Sequence, residues 1–105
     1  MIKKILFITF LCLSSAVFSQ KTLQELTATP NPFYNTTTIQ FSSTVEEPII
    51  LIIKNVLGKT VFKKTYSTKI GPNKILFTRD DLQAGIYIYA IQSRKQIISK
   101  RFIIK

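Results

Sequence analysis

After residue 20, the sequence consists of short runs that are rich in β-branched and aromatic residues, and Pro, Asn or Gly separates one run from the next. Such runs are typical of β-strands, and a helical period is hard to find among them. We predict strands over residues 22–27, 37–43, 48–55, 60–67, 74–78, 86–92 and 96–104. Seven short strands in a chain of 105 residues predict an all-β fold, a small antiparallel β-sandwich of the Ig-like or Greek-key type.

The breaks between these runs have the chemistry of turns. Pro30, Asn31 and Pro32 end the first strand, because a residue that precedes proline avoids the helical region. Gly58 lies in a predicted hairpin turn of residues 57–59, where glycine can take a positive φ. Residues 71–73, Gly-Pro-Asn, form a further predicted turn, and Gly85 closes a loop of residues 80–85.

Alternation along the central strand does not separate a buried face from a polar face. Ile49, Leu51 and Ile53 point to one side, which we assign to the core, and Ile50 and Ile52 point to the other. Isoleucines on the outer side indicate either that another element covers them or that the sheet exposes an apolar stripe. Strand 86–92 also has apolar residues on both sides, with Ile86, Ile88 and Ala90 on one and Tyr87, Tyr89 and Ile91 on the other. The last strand is predicted to bury Ile98, Phe102 and Ile104.

Residues 1–19 have the pattern of a secretory signal peptide. Lys3 and Lys4 give a positive start, an apolar run follows, and Ser19 is a small residue at the expected cleavage point. The apolar run is shorter than the ~20 residues that a membrane-spanning helix needs. We therefore expect export across the inner membrane and a mature chain that starts at Gln20. Cleavage removes Cys12, the only cysteine, so the core stabilises the mature chain without a disulfide.

Composition excludes the commonest catalytic groups. The chain has no His and one Cys, so imidazole and thiolate chemistry is closed to the mature protein. Its 5 acidic residues include the pairs 46–47 and 80–81, and nothing in the sequence brings the two pairs together as a carboxylate-based enzyme would require. We predict that the protein is not an enzyme and has no catalytic residue, metal or cofactor. A hydrolase or a calcium site built on Asp80 and Asp81 is a weaker alternative.

The excess of basic residues is a second feature of the composition that bears on function. The chain has 15 Lys and Arg residues against 5 acidic residues, which gives a net charge of +10. Lysines commonly protect the exposed edges of sheets and solvate a face, and this is the simplest interpretation. The alternative function is a basic adhesin that binds acidic surface glycans or lipopolysaccharide. Nucleic acid is not an expected partner, because the protein is predicted to be exported.

Four blocks of the sequence carry a resemblance to a known family. The first is Pro30-Asn31-Pro32-Phe33 followed by residues 37–41, and the second spans residues 51–61 around Asn-Val-Leu-Gly-Lys. The third is Leu-Gln-Ala-Gly-Ile-Tyr at residues 82–87, and the fourth is the basic, apolar run 100–104 followed by Lys105. With these blocks in this order, residues 28–105 resemble the C-terminal sorting domain, type A, of the type IX secretion system of the Bacteroidetes.

The resemblance implies a non-enzymatic secretion signal. The expected partners are the type IX outer-membrane machinery and a surface sortase, with anionic lipopolysaccharide as a further candidate, and the expected location is secreted or cell-surface associated. The predicted organisation is a signal peptide over 1–19, a short segment or first strand over 20–27 with no passenger domain, and the sorting domain over 28–105. The residues expected to carry the signal are Pro30, Asn31, Pro32, Phe33, Gly58, Lys59, Gly85, Tyr87, Lys100 and Lys105.

Overall fold

The computed structural model describes residues 21–105, so the predicted signal peptide lies outside the described residues. These residues form seven strands and no helix, which confirms the predicted all-β class. The strands are β1 (Leu23–Thr29), β2 (Thr36–Ser43), β3 (Pro48–Asn55), β4 (Thr60–Ser67), β5 (Gly71–Thr78), β6 (Gly85–Gln92) and β7 (Ile97–Ile104).

The strands form two antiparallel sheets that share one core. The three-stranded sheet has the order β1-β2-β5, and the four-stranded sheet has the order β4-β3-β6-β7. The chain therefore changes sheet after β2, after β4 and again after β5. No segment of residues 21–105 forms a helix long and apolar enough to cross a membrane.

The side of β3 that faces the core is the side that the sequence predicts. Ile49, Leu51 and Ile53 are almost completely buried, whereas Ile50 and Ile52 are half-buried on the outer side of the four-stranded sheet. Side chains alternate along a strand, so pairing with β3 fixes the inward set of β6 as Tyr87, Tyr89 and Ile91. In β7, Phe102 and Ile104 are buried as predicted, and Ile98 is half-buried.

Phe102 of β7 lies at the centre of an aromatic cluster. Its ring is fully buried, stacks on Tyr89 at 5.1 Å between centroids, and meets the edge of Phe33 at 5.1 Å. Phe77, from the opposite sheet, lies 5.8 Å away. Because these rings come from β5, β6, β7 and the loop after β1, the cluster holds both sheets and that loop in one core.

The predicted turn at residues 71–73 is wrong. Gly71 and Pro72 begin β5 and pair with Ser43 and Ser42 of β2. Asn73 bends the preceding loop with its side chain, which accepts a hydrogen bond from the Lys69 N–H and donates one to the Lys69 carbonyl, both at 2.9 Å. Pro72 is tolerated in this strand because β5 is at an edge of its sheet.

The seam between β1 and β7 is joined at one end by a side-chain amide. The Gln96 Oε1 atom accepts hydrogen bonds from the backbone N–H groups of Thr22 and Leu23, at 3.2 and 3.0 Å. Its Nε2 group donates to the Leu23 carbonyl at 2.9 Å. The amide thus takes the place of a paired peptide group and connects the edges of the two sheets.

We expect stability to fall above about pH 10 through Tyr89. Burial raises the pKa of the Tyr89 phenol above its ordinary value of 10.0. The stability that depends on the neutral Tyr89 phenol is therefore fully present below pH 10.0. It is lost as the pH rises above that value, because the unfolded chain then ionises more readily than the folded one. Urea unfolding on both sides of this pH should show a smaller loss of unfolding free energy in Tyr89→Phe. The exposed Tyr34 is the control, and an equal change in Tyr34→Phe would contradict the assignment.

Candidate functional site

The strand register brings the motif loops to one end of the sandwich. Tyr87 pairs with both Asn55 and Phe102, so β6 begins where β3 and β7 end. In the other sheet, Thr36 pairs with Thr78, so β2 begins where β5 ends. We call this the motif end, formed by residues 30–35, 56–59 and 79–84 with Lys105, and we call the opposite end the far end.

Nine of the ten residues expected to carry the signal lie at or next to the motif end. The exception is Lys100, which pairs with Tyr89 in the middle of β7 and is exposed. Phe33 and Tyr87 are buried, Gly85 is half-buried and the others are exposed. The nine are Pro30, Asn31, Pro32, Phe33, Gly58, Lys59, Gly85, Tyr87 and Lys105.

Asn31 attaches the loop after β1 to the outer edge of β7. Its Nδ2 group donates a hydrogen bond to the Arg101 carbonyl at 3.2 Å, and its Oδ1 atom accepts one from the Ile103 N–H at 3.0 Å. The side-chain amide therefore presents one donor and one acceptor to β7, as a neighbouring strand would. Without it, these two backbone groups on the edge of β7 would need other partners.

Phe33 continues the same attachment with its backbone and its ring. Its N–H donates to the Ile103 carbonyl at 3.0 Å, and its carbonyl accepts from the Lys105 N–H at 2.8 Å, which forms a parallel bridge to Ile104. The ring is almost completely buried beside Phe102. Thr37, also buried, donates a hydrogen bond to the Pro30 carbonyl at 2.7 Å and fixes the start of the loop.

Arg79 connects three parts of the motif end, and its role was not predicted. Its Nε and Nη2 groups donate to the Leu82 carbonyl at 3.0 and 2.8 Å, and its Nη1 group donates to the backbone oxygens of Tyr34 and Lys105. The rigid, forked guanidinium suits this set of acceptors, and an ammonium group would not reproduce it. In the sequence Arg79 is one of 15 basic residues, so only its place directly after a strand distinguishes it.

Tyr87 fixes the crossover from β5 to β6. Its hydroxyl donates to the Gln83 carbonyl at 2.7 Å, four residues earlier in the chain, while its ring packs in the core. This is the arrangement of a tyrosine corner, which recurs in Greek-key sandwiches where a strand begins after a crossover. Gly85, between the two, has a φ of 154°, which L side chains rarely adopt. The Gly-x-Tyr step therefore builds a topological feature of the fold.

The β3–β4 turn exposes two apolar side chains. Gly58 has a φ of 83°, as predicted for this turn. The Asn55 Oδ1 atom accepts hydrogen bonds from the N–H groups of Leu57 and Lys59, both at 3.0 Å, and so satisfies the backbone of the turn. Asn55 and Gly58 provide the hydrogen bonds and the positive φ that the turn requires, so the side chains of Val56 and Leu57 have no structural role in it. They point outward and are 72% and 88% exposed.

The two acidic pairs are at opposite ends of the sandwich. Glu46 and Glu47 lie between β2 and β3 at the far end, and Asp80 and Asp81 lie between β5 and β6 at the motif end. They therefore do not form the facing carboxylates that hydrolysis requires. Within residues 21–105, no group of three or more His, Cys, Asp or Glu side chains is placed to hold a metal ion.

Basic side chains are distributed over the whole molecule. Lys54 and Lys63 lie on the outer side of the four-stranded sheet, Lys74 lies on the outer side of the three-stranded sheet, and Lys69 and Lys95 lie in loops of the far end. A binding site for an acidic polymer concentrates cations along one face or groove. The charge here is not concentrated in that way.

Comparison with known proteins places this geometry in a family. Residues 28–105 match the sequence profile of the secretion system C-terminal sorting domain. This chain belongs to that family, the type IX sorting domains. No curated protein matches the chain. Membership supports a role as a sorting signal, implies interaction with the type IX machinery, and implies export to a secreted or cell-surface location.

In this sorting domain the four family-like blocks all supply the framework of the motif end. The first block attaches to β7, the second forms the β3–β4 turn, the third contains the tyrosine corner, and the fourth is β7 itself. The contacts of the first block join it to the fourth block and to the core, whereas the hydrogen bonds of Asn55 and of Tyr87 build turns within the second and third blocks. The blocks thus specify a folded shape more than a set of projecting ligands.

We expect Asn31→Ala to loosen the end of β7. The substitution removes two hydrogen bonds, each worth ~0.5 to 1.5 kcal/mol, so the unfolding free energy should fall by about 1 to 3 kcal/mol. Hydrogen exchange at the Ile103 N–H should accelerate, because that group loses its acceptor. Asn31→Asp is the matched control, since it keeps an acceptor for Ile103 and loses only the donor to Arg101. Unchanged exchange at Ile103 in Asn31→Ala would show that the amide does not hold this edge.

Proposed function

We propose that this protein is a non-enzymatic sorting module whose folded sandwich, rather than a linear peptide, is recognised for passage across the outer membrane. The observation that supports this most directly is the family match over residues 28–105 together with the use of the motif residues as framework. Phe33 and Tyr87 are buried, so a partner that detects their substitution must detect a change in the folded shape.

The proposed route has two steps. The segment 1–19 directs export through the inner membrane and is removed, and the sandwich then folds in the periplasm and binds the type IX outer-membrane machinery. After these two steps, a surface sortase would separate any attached passenger from the domain and join that passenger to anionic lipopolysaccharide. The chain needs no chemistry of its own for these steps, because its contribution is a surface and a stable shape.

The distribution of charge favours this proposal over the adhesin alternative. An adhesin for acidic glycans would gain affinity from cations gathered on one surface, where they raise the local potential. The cations of this chain occupy both sheets and the far-end loops, and this spread fits the protection of sheet edges and solubility.

Export of a passenger tests the proposal. A fluorescent protein is inserted between residues 20 and 21 of the full chain, and the fusion is expressed in a bacterium with a type IX system and in a matched strain without it. We expect fluorescence in the medium or on the cell surface only in the first strain. Retention in the periplasm of both strains would contradict the proposal.

Two substitutions of Tyr87 separate shape from side-chain recognition. Tyr87→Ala removes a buried aromatic side chain at a cost of ~3 to 5 kcal/mol, and Tyr87→Phe loses only one hydrogen bond, worth about 1 kcal/mol. If the folded sandwich is the signal, export of the fusion should follow the folded fraction measured by urea unfolding, and Tyr87→Phe should export nearly as well as the parent. Full export of an unfolded Tyr87→Ala fusion would contradict recognition of the fold.

A further inference from the structure

The outer faces of the two sheets differ in chemistry. On the three-stranded sheet, the outward residues of β1 and β2 are threonines, glutamines and a serine, with Glu25 exposed beside Ser42, and Leu76 is the one large apolar side chain among the outward residues described there. On the four-stranded sheet, β3, β6 and β7 carry isoleucines outward. We call this second surface the isoleucine face, and its apolar residues are Ile50, Ile52, Ile86, Ile88, Ala90, Ile97 and Ile103.

The apolar residues of the isoleucine face lie next to one another across strands. Ile86 pairs with Ile103, and Ile52 pairs with Ala90. Paired side chains on one side of a sheet are in contact distance, so they form one patch rather than scattered sites. Ile86, Ile88 and Ile103 remain 45%, 40% and 42% exposed. Adjacent exposed apolar side chains with polar residues around them are a common feature of interaction surfaces.

Three cations lie within this patch. Arg101 pairs with Ile88, Lys63 pairs with Ile52, and Lys54 lies on the other side of Ile88. The acidic residues of the described chain lie elsewhere, at Glu25 of β1 and in the loops 46–47 and 80–81. The isoleucine face is therefore both apolar and purely cationic, and a complementary partner must offer apolar groups and carboxylates or other anions.

Three of the four edge strands, β4, β5 and β7, are poor alternatives to this face. β4 presents Lys63 and Lys64 near its edge, and β5 begins with Gly71-Pro72, which cannot continue a hydrogen-bonded ladder at the proline. The edge of β7 at Arg101 and Ile103 is already occupied by the Asn31 amide. Addition of a partner strand is thus hindered at these positions, whereas the isoleucine face is open.

We propose that the isoleucine face is the surface by which the sandwich binds the outer-membrane secretion machinery, through a flat protein surface that is apolar at its centre and carries carboxylates opposite Lys54, Lys63 and Arg101. This inference rests on the proposed sorting function and names the binding surface. Asn31, Phe33 and Tyr87 make contacts inside the molecule, and the isoleucine face adds an exposed surface through which the folded shape can be recognised.

Two other occupants fit the face less well. A second copy packed face to face about a two-fold axis would bring the same cations of both chains together. A lipid surface is usually bound by protruding apolar groups with Trp or Tyr at the interface, whereas the outward residues of this sheet are isoleucines level with their neighbours. A protein surface with carboxylates satisfies both the shape and the charge of the face.

The test uses the fusion described above and two variants of the isoleucine face. The apolar variant combines Ile86→Thr, Ile88→Thr and Ile103→Thr, which keep the branched β-carbon that suits a strand. The charge variant combines Lys54→Glu and Arg101→Glu at exposed positions. The control combines Leu76→Thr and Lys74→Glu on the outer face of the three-stranded sheet. For each, the ratio of exported to periplasmic passenger is measured beside the urea unfolding midpoint.

We expect each face variant to lower the export ratio by about tenfold while the control matches the parent, because the centre of an interface carries most of its affinity. If the apolar variant is destabilised, the charge variant alone decides the test. Normal export by a folded charge variant would overturn the inference while leaving the sorting function intact. Failure of the parent fusion to be exported would instead overturn the sorting function and this inference with it.

Photo-crosslinking identifies the occupant. A photoreactive amino acid is placed at position 88 of the fusion, or at position 76 as the control, and crosslinked products are identified by mass spectrometry. We expect position 88 to crosslink to an outer-membrane component of the secretion machinery and position 76 not to do so. A crosslink from position 88 only to a second copy of the chain, or binding of the parent to phosphatidylglycerol vesicles that the apolar variant loses, would overturn the choice of a protein partner.

Discussion

The packing of Phe102 is the interaction on which the rest of the molecule depends. Its ring contacts Phe33 from the loop after β1, Phe77 from the three-stranded sheet and Tyr89 from the neighbouring strand. The sequence has one cysteine, so no disulfide within the chain can close this assembly, and the aromatic core must hold the two sheets together. Because Phe33 belongs to the same cluster, its ring anchors the loop after β1 in the core.

This arrangement explains why the family-like blocks are so short and so far apart in sequence. Each block supplies what one point of the framework needs: an amide for the edge of β7, a glycine for a hairpin, a hydroxyl for the β5–β6 crossover. The positions between them have to meet only the inward or outward preference of a strand. Outward positions are thus free to differ between the two sheets, and this freedom is what allows one face to be polar and the other to be apolar and cationic.

Local pattern was enough to predict much of the fold. The bounds of β3 and β4 agree with the prediction, because a continuous apolar run lies between a proline and a glycine turn and a second β-rich run follows that turn. The start of β5 was not predictable in this way. Gly71-Pro72-Asn73 has the composition of a turn, and it becomes a strand only because β2 pairs with it and Asn73 turns the chain earlier. The pairing with β2 depends on residues that are distant in sequence, whereas the contact of Asn73 with Lys69 is local and shows only which end of the segment turns.

In the candidate site, too, local features could be predicted from the sequence and long-range contacts could not. A sequence can indicate that Gly58 forms a turn, since the requirement is local, and it can indicate that Phe102 is buried from the pattern of β7. The hydrogen bonds of Asn31 join residues about 70 positions apart, and no local pattern predicts them. The role of Arg79 could not be predicted for a different reason. Its contacts are with a loop and with Lys105, and nothing in the sequence distinguishes its charge from that of the other basic residues.

The topology also determines where a preceding polypeptide meets the sandwich. β1 begins at Leu23, beside Gln96 and the start of β7, and this position is at the far end. Any segment that precedes residue 21 is therefore connected on the side opposite the motif end. The motif end is stabilised by contacts among the blocks, and Ile86 and Ile103 bring the isoleucine face up to it. Because an upstream segment joins the sandwich at the far end, its point of attachment is remote from the motif end and from the part of the isoleucine face at Ile86 and Ile103.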